Sequence, residues 1–213
     1  GEVRLGLFGG VTKPKLNSGS ALIDDEQSTS LAGVRLRGYF DQLDSINFPK
    51  DGWGGNFQVV RGIESLGSDF GYARWEGSLV LAKSCGRHTL NLAMRGSGPI
   101  SAERSPVYVS TPWGGFLQQS GFQTGQLLNE RFLYGRLIYN YRLLTVPLFE
   151  GLYAGVSAEA GDYGRPLVAG NPTGTLYSGA AFLAFDSPLG PMYLGYGIGT
   201  GGNSAAYFYL GRP

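Results

Sequence analysis

The chain has 213 residues, enough for one sizeable domain, with a formal net charge of +1 and only 15% charged residues. That balance argues against nucleic acid as a partner. No window approaches about 18 consecutive apolar residues, so a transmembrane helix is not expected, and the single Cys85 forms no internal disulfide and leaves the compartment open.

Side chains alternate with a period of two along most of the chain, which means strands. Residues 3–9 set Val3, Leu5 and Leu7 against Arg4, Gly6 and Phe8. A polar linker follows at 10–32 with the acidic run Asp24-Asp25-Glu26, a solvated loop rather than a catalytic or calcium site. Residues 33–43 place Val34, Leu36, Gly38 and Phe40 opposite Arg35, Arg37, Tyr39 and Asp41. A turn region at 44–52 carries Pro49 and Asp51-Gly52. The next strand, 55–66, has Phe57, Val59 and Ile63 opposing Asn56, Gln58 and Glu64. Arg61 falls on its apolar side, which requires either snorkelling to an interface or a bulge that shifts the register.

After a turn at 65–71, strand 72–83 opposes Ala73, Trp75, Leu79 and Leu81 to Arg74, Glu76 and Ser78. A tight turn, 84–87, leads to strand 89–95 with Leu90, Leu92 and Met94 on one face. The longest connection, 97–130, contains Pro99, Pro106, Pro112 and a glycine cluster. Strand 131–144 then sets Leu133, Gly135, Leu137, Tyr139, Tyr141 and Leu143 against Phe132, Tyr134, Arg136, Ile138, Asn140 and Arg142. Strand 152–162 repeats the pattern, with Glu159 on its polar side. A long loop at 161–174, a strand at 175–185 whose facing is ambiguous, a turn at 186–190 and a strand with Met192, Leu194, Tyr196 and Ile198 on its apolar face complete the run. A glycine turn at 200–203 leads to the last strand, where Ala206, Phe208 and Leu210 alternate with Tyr207 and Tyr209.

That gives ten strands, and the connections between them alternate in length: the three long ones, 10–32, 97–130 and 161–174, all fall at the same end. A soluble β-sandwich has no reason for this asymmetry, whereas an outer-membrane barrel has short turns on one side and longer loops on the other. The expected fold is all-β: an antiparallel transmembrane β-barrel domain over 1–213, apolar face to lipid and polar face to a lumen, with a lumen-entering loop at 97–130.

The stretch Leu43-Asp44-Ser45-Ile46-Asn47-Phe48-Pro49-Lys50-Asp51-Gly52-Trp53 resembles the Asp-x-x-x-x-Phe-Pro-x-x-Gly signature of the bacterial surface antigen family of outer-membrane assembly and translocation barrels. Those barrels also have five strands after a long lumen loop, as this chain does. The tail from Asp186 to Gly197 (DSPLGPMYLGYG) is similar to one branch, the patatin-like phospholipase autotransporters. The resemblance implies a translocator or anchor in the outer membrane of a Gram-negative bacterium that exports or displays an N-terminal lipase passenger. Implied partners are outer-membrane lipid, the barrel assembly machinery and the passenger itself.

The resemblance also implies site residues. Where the family's lumen loop carries Val-Arg-Gly-Phe or Tyr, this chain reads Gln119-Ser120-Gly121-Phe122, so the loop arginine is absent and packing with backbone bonds is expected to hold the loop. Glu159 occupies a place where the family keeps an acidic residue and is expected to pair with Arg136 on the neighbouring strand, unless both merely line a wet lumen. Ala206, Phe208 and Leu210 resemble the C-terminal signal read by the assembly machinery, although the family commonly ends in phenylalanine and this sequence ends at Pro213. Family barrels have sixteen strands; either six precede Gly1, which opens the chain without a methionine or a signal peptide, or this is a ten-strand barrel of another kind.

No Gly-x-Ser-x-Gly elbow occurs, and the only Asp-Gly, Asp51-Gly52, lies in the turn signature, so catalysis by this chain is not expected. The lone His88 with Cys85 makes no metal site, and no cofactor is expected. Two other readings stay open: a stand-alone assembly or translocation factor, and a self-contained ten-strand pore.

Overall fold

The computed structural model describes residues 1–13, 28–100, 110–146, 149–187 and 190–211, without the side chains of 145, 146, 149 and 150. The acidic run Asp24-Asp25-Glu26, Pro106, Pro188-Leu189 of the tail and Pro213 lie outside the described residues.

Among the described residues ten strands form one antiparallel sheet in strictly sequential order. They are β1 (Glu2–Thr12), β2 (Thr29–Asp41), β3 (Asp51–Gly62), β4 (Tyr72–Cys85), β5 (His88–Pro99), β6 (Asn129–Val146), β7 (Phe149–Pro166), β8 (Gly174–Ser187), β9 (Gly190–Gly199) and β10 (Asn203–Leu210). Each strand pairs with its chain neighbours, and β1 and β10 are the two edges; among the described residues no ladder joins them.

Register carries the alternation unbroken from strand to strand. Leu5 pairs with Leu36, Leu36 with Val59, Val59 with Trp75, and Trp75 with Gly98. Further along, Leu92 pairs with Leu137, Leu137 with Ala158, Ala158 with Gly179, and Gly179 with Ile198. One face is therefore apolar and exposed, from Leu5 (75%) through Leu92 (41%) to Phe208 (71%). The other face carries Arg37, Gln58, Glu76, Arg136 and Glu159, with Tyr193 of β9 and Tyr207 and Tyr209 of β10. Pairing also resolves the facing of β8: Tyr177, Ala181 and Leu183 lie on the apolar face, and Leu176, Ser178, Ala180 and Phe182 on the other.

The sheet is curled with its polar face inside. Phe48, in the connection after β2, stacks on Tyr153 of β7 at 4.8 Å between ring centroids and meets Tyr193 of β9 at 5.7 Å. Asn47 beside it donates to Asp186 Oδ1 of β8 at 3.2 Å. In a flat sheet β3 and β8 would stand five strand spacings apart, about 24 Å at about 4.8 Å each. Only a curled sheet lets this turn reach across. The core is accordingly on the inside: Phe48, Phe116, Leu117, Ile138, Tyr153, Phe182 and Tyr193 form one cluster, and Trp113, Phe122, Leu127, Phe132, Tyr134, Tyr163 and Leu176 another.

The structure revises several expected boundaries. Strand β3 starts at Asp51 and ends at Gly62, because residues Glu64–Leu66 close into a 3-10 turn whose cap, Gly67, has φ 98°. The ladder from β3 to β4 has no bulge, and Arg61 pairs with Ala73 on the apolar face, exposed at the strand end. Between β6 and β7 the register does shift, between Arg142 and Leu144, so Leu144 rather than Leu143 opposes Leu152. The expected long loop at 161–174 shrinks to 167–173 because β7 continues to Pro166, paired with Asn129. Gly161 and Gly164 are thereby strand residues that make room: a Cβ on Gly161 would meet the Tyr163 ring at 2.6 Å. Likewise the longest connection runs over 100–128. The asymmetry of the two ends persists, since β4–β5, β6–β7 and β8–β9 are joined through two residues each while the longest connections lie at the other end.

Candidate functional site

The described part of the longest connection, 110–128, folds back onto the inner face of β6–β10. Its stem closes by a two-way backbone bridge between Trp113 and Leu127, 2.8 Å each way, and Trp113 stacks on Phe132 of β6 at 4.9 Å. Between these ends the chain turns tightly, with Gln118 N donating to Gly115 O and Phe122 N to Gln119 O, both at 2.9 Å. Leu117 (φ 56°) and Gln119 (φ 79°) are forced into the left-handed region, which costs a side-chain-bearing residue about 1 kcal/mol or more. Such geometry persists only where surrounding contacts over-determine it.

Glu159 supplies those contacts. One carboxylate oxygen, Oε2, accepts the successive backbone N–H groups of Gln119 at 2.8 Å and Ser120 at 2.7 Å. The other, Oε1, accepts the hydroxyls of Ser120 and Ser157, each at 2.6 Å. Consecutive amides converging on one anion form a nest, and the strained turn is what aims them. Tyrosines complete the hold: Tyr134 donates to Leu117 O at 3.0 Å, Tyr163 to Gln119 Oε1 at 3.1 Å, and Tyr207 to Ser120 O at 2.9 Å and Phe122 O at 2.7 Å. Gln119 and Ser120 are fully buried.

Of the residues singled out in the sequence, the fold brings Ser120, Gly121, Phe122 and Glu159 together. The expected pairing of Arg136 with Glu159 is not made, and the ion pairs among the described residues do not include it. The two residues are register partners, but the Arg136 guanidinium donates to Leu117 O instead. The physical reason is saturation: a carboxylate has about four acceptor sites, and the loop and Ser157 fill them. Backbone amides thus hold the loop where the arginine is absent.

Gly121 lies against β9. A Cβ there would come within 2.4 Å of Gly199 N, and a Cβ on Gly197 within 2.1 Å of Ser120 O. The inward positions Gly195, Gly197 and Gly199 form the bed on which the loop lies, and glycine at every second residue of YLGYGIG was a signal for it that the apolar alternation obscured. Ala206, Phe208 and Leu210 lie elsewhere, on the outer face of edge strand β10, paired with Tyr196, Leu194 and Met192. His88 also faces outward, sharing a 2.7 Å hydrogen bond with Tyr139 OH.

The turn signature has a structural role residue by residue. Asp44 Oδ1 accepts the amides of Lys50 at 2.8 Å and Asp51 at 3.0 Å, closing the turn. Burial alone would raise the Asp44 pKa, but these two amides and the Lys50 charge outweigh it and hold the carboxyl below its ordinary value. Gly52, at φ 106°, leaves no room for a Cβ, which would lie 2.0 Å from Gln42 O. Phe48 reaches the core. Three residues separate Asp44 from Phe48, one fewer than in the signature as written, so the aspartate matches it less closely than Phe48, Pro49 and Gly52 do.

Fold and site together define an all-β protein with a curled antiparallel sheet, an apolar outer face and an inner face occupied by its own loop. No family model matches the chain, and no curated protein matches it.

Proposed function

We propose that this chain is a transmembrane β-barrel domain that anchors and exports a passenger across an outer membrane. The observation that carries the reading is the inversion of the sheet: the exposed outer face is apolar on strand after strand, while charge and hydroxyls turn inward. An ordinary soluble monomer exposes a largest apolar patch of about 300–600 Å². Here Leu5, Leu79, Leu92, Leu137, Val156, Leu183, Ile198 and Phe208 continue the patch across the sheet from edge to edge. In hydrocarbon such a surface is at no disadvantage, and every backbone group must be paired within the sheet, which favours a closed barrel.

Passenger export, with a patatin-like lipase as passenger, rests on the likeness of the Phe48-Pro49-x-x-Gly52 turn and the Asp186–Gly197 tail to that family, and on an inner loop held at Glu159. The barrel itself carries no Gly-x-Ser-x-Gly elbow and serves as conduit and anchor, inserted by recognition of β10 at the sheet edge.

Trp75 tests the membrane reading. It points outward and is 38% exposed, whereas Trp113 is buried inside. Reconstituted in brominated-lipid vesicles, the protein loses emission relative to ordinary lipid from Trp75 and from Trp53, which also faces outward and is 40% exposed, and replacing both by Phe removes that quenching. Emission equal in the two lipids would sink the reading. Export is tested by fusing a reporter ahead of Gly1 and measuring its protease accessibility on intact cells.

A further inference from the structure

The outward face of the strands is apolar in its middle but charged at its two ends. Among the described strand residues, the acidic and basic side chains on that face are Asp51 and Arg61 of β3, Lys83 of β4, Arg131 of β6 and Asp162 of β7. Each stands in the terminal few residues of its strand. Asp51 and Lys83 are register partners, paired at 2.7 Å beside the short β4–β5 turn. Arg61, and Arg131 with Asp162 at 3.7 Å, mark the opposite end, where the longest connections lie. Between Asp51 and Arg61 the outward residues are Trp53, Gly55, Phe57 and Val59; on β4 they are Trp75, Gly77, Leu79 and Leu81.

The inner face of the same strands shows no such confinement. Glu76 pairs with Arg95 at 2.6 Å in the body of β4, opposite Gln58. A face turned to water gains nothing by keeping charge off its middle. A face turned to hydrocarbon does, because the cost of a lysine or arginine falls steeply from the bilayer midplane to the interfaces. Asp51 to Arg61 is ten residue steps, about 34 Å along the strand, or about 24 Å across a membrane at a tilt of about 45°. Trp53 lies one outward position inside Asp51, and Trp75 one inside Ala73, the partner of Arg61. Each is therefore about 5 Å within the band, at opposite sides, where aromatic girdles sit.

We propose that this surface fits a bilayer whose apolar core is about 24 Å thick, thinner than the common value of about 30 Å. The proposal rests on the membrane reading above and adds its depth and limits. Arg61 and Arg131 stand at the headgroups of one leaflet, and the Asp51–Lys83 pair at those of the other. Arg61 on an apolar face then needs no bulge and no buried partner, since its guanidinium extends into the phosphate layer.

Depth is read by tryptophan quenching in vesicles brominated either near the headgroups or near the chain ends. Trp75→Phe leaves Trp53 as the outward reporter, and Trp53→Phe leaves Trp75. Phe57→Trp in the doubly substituted chain reports the midplane, with Trp113 buried inside throughout. Shallow bromines are expected to quench Trp53 and Trp75 most, and deep bromines the reporter at position 57. The same depth order at all three positions overturns the proposal while leaving the membrane reading intact; no quenching at any of them sinks both. Refolding equilibria give a second measure. Leu79→Arg, in mid-band, is expected to lower the folded-to-unfolded ratio about thirtyfold or more, and Ala73→Arg, at the edge, about fivefold or less. Equal effects of the two also overturn the proposal.

Discussion

Ser120 grips Glu159 at both carboxylate oxygens, its backbone N–H on Oε2 at 2.7 Å and its hydroxyl on Oε1 at 2.6 Å. The pair joins the inner loop to the wall of β7. Glu159→Ala leaves two buried amides and two hydroxyls short of an acceptor, each orphan costing about 1–3 kcal/mol if unrelieved. The expected outcome is a loss of about 3 kcal/mol or more in unfolding free energy, with new protease cleavage between 113 and 127. Glu159→Gln retains one acceptor oxygen and falls between. Wild-type protease resistance in Glu159→Ala would show that packing alone holds the loop.

Glycines separate the two faces. Gly197→Ala drives a Cβ into the Ser120 carbonyl and is expected to cost about 1–3 kcal/mol and displace the loop. Gly135→Ala, on the outer face, has its nearest neighbour atom at 4.0 Å and is expected to change stability by less than about 0.5 kcal/mol. Unfolding of both variants under identical conditions checks the contrast; equal effects would contradict it.

Phe48 closes one end of the curl. Phe48→Ala removes the ring stacked on Tyr153 and is expected to destabilise by about 3 kcal/mol and expose the 42–50 turn to protease. Asn47→Ala, which removes one partly buried hydrogen bond to Asp186, costs about 1 kcal/mol by the same measurement.

Acid acts on Asp44. Its folded pKa lies below its ordinary value, so its contribution is complete above that value and is lost as pH falls through the folded pKa. Amide exchange at Lys50 and Asp51 is therefore expected to stay slow near neutrality and to lose protection only below the usual carboxylate range. Asp44→Asn removes that acid-dependent step; a step that persists in the variant would assign it to another group.

Phe208 is 71% exposed on the outer face of β10, so its truncation disturbs no packing within the chain. Phe208→Asp is expected to block membrane insertion while leaving the refolded sheet intact. Normal outer-membrane levels of this variant would remove β10 as the assembly signal.

The alternation of Leu133, Leu137 and Tyr139 against Tyr134, Arg136 and Ile138 was enough to predict strands, their number and their two chemically distinct faces. Side-chain direction in a strand is a local property with a period of two, and the sequence displays it directly. The asymmetry of long and short connections was legible for the same reason, and the prominence of Ser120, Gly121, Phe122 and Glu159 came through resemblance. Tertiary structure alone decided the partners. Arg136 and Glu159 are adjacent in register, yet the carboxylate is filled by amides from forty residues away, Gln119 and Ser120, which no spacing rule anticipates. Phe48 reaching Tyr153 likewise depends on how far the sheet curls, a sum of small twists over many strands. Alternation is written residue by residue, whereas the inner contacts arise only once the sheet has brought distant segments together.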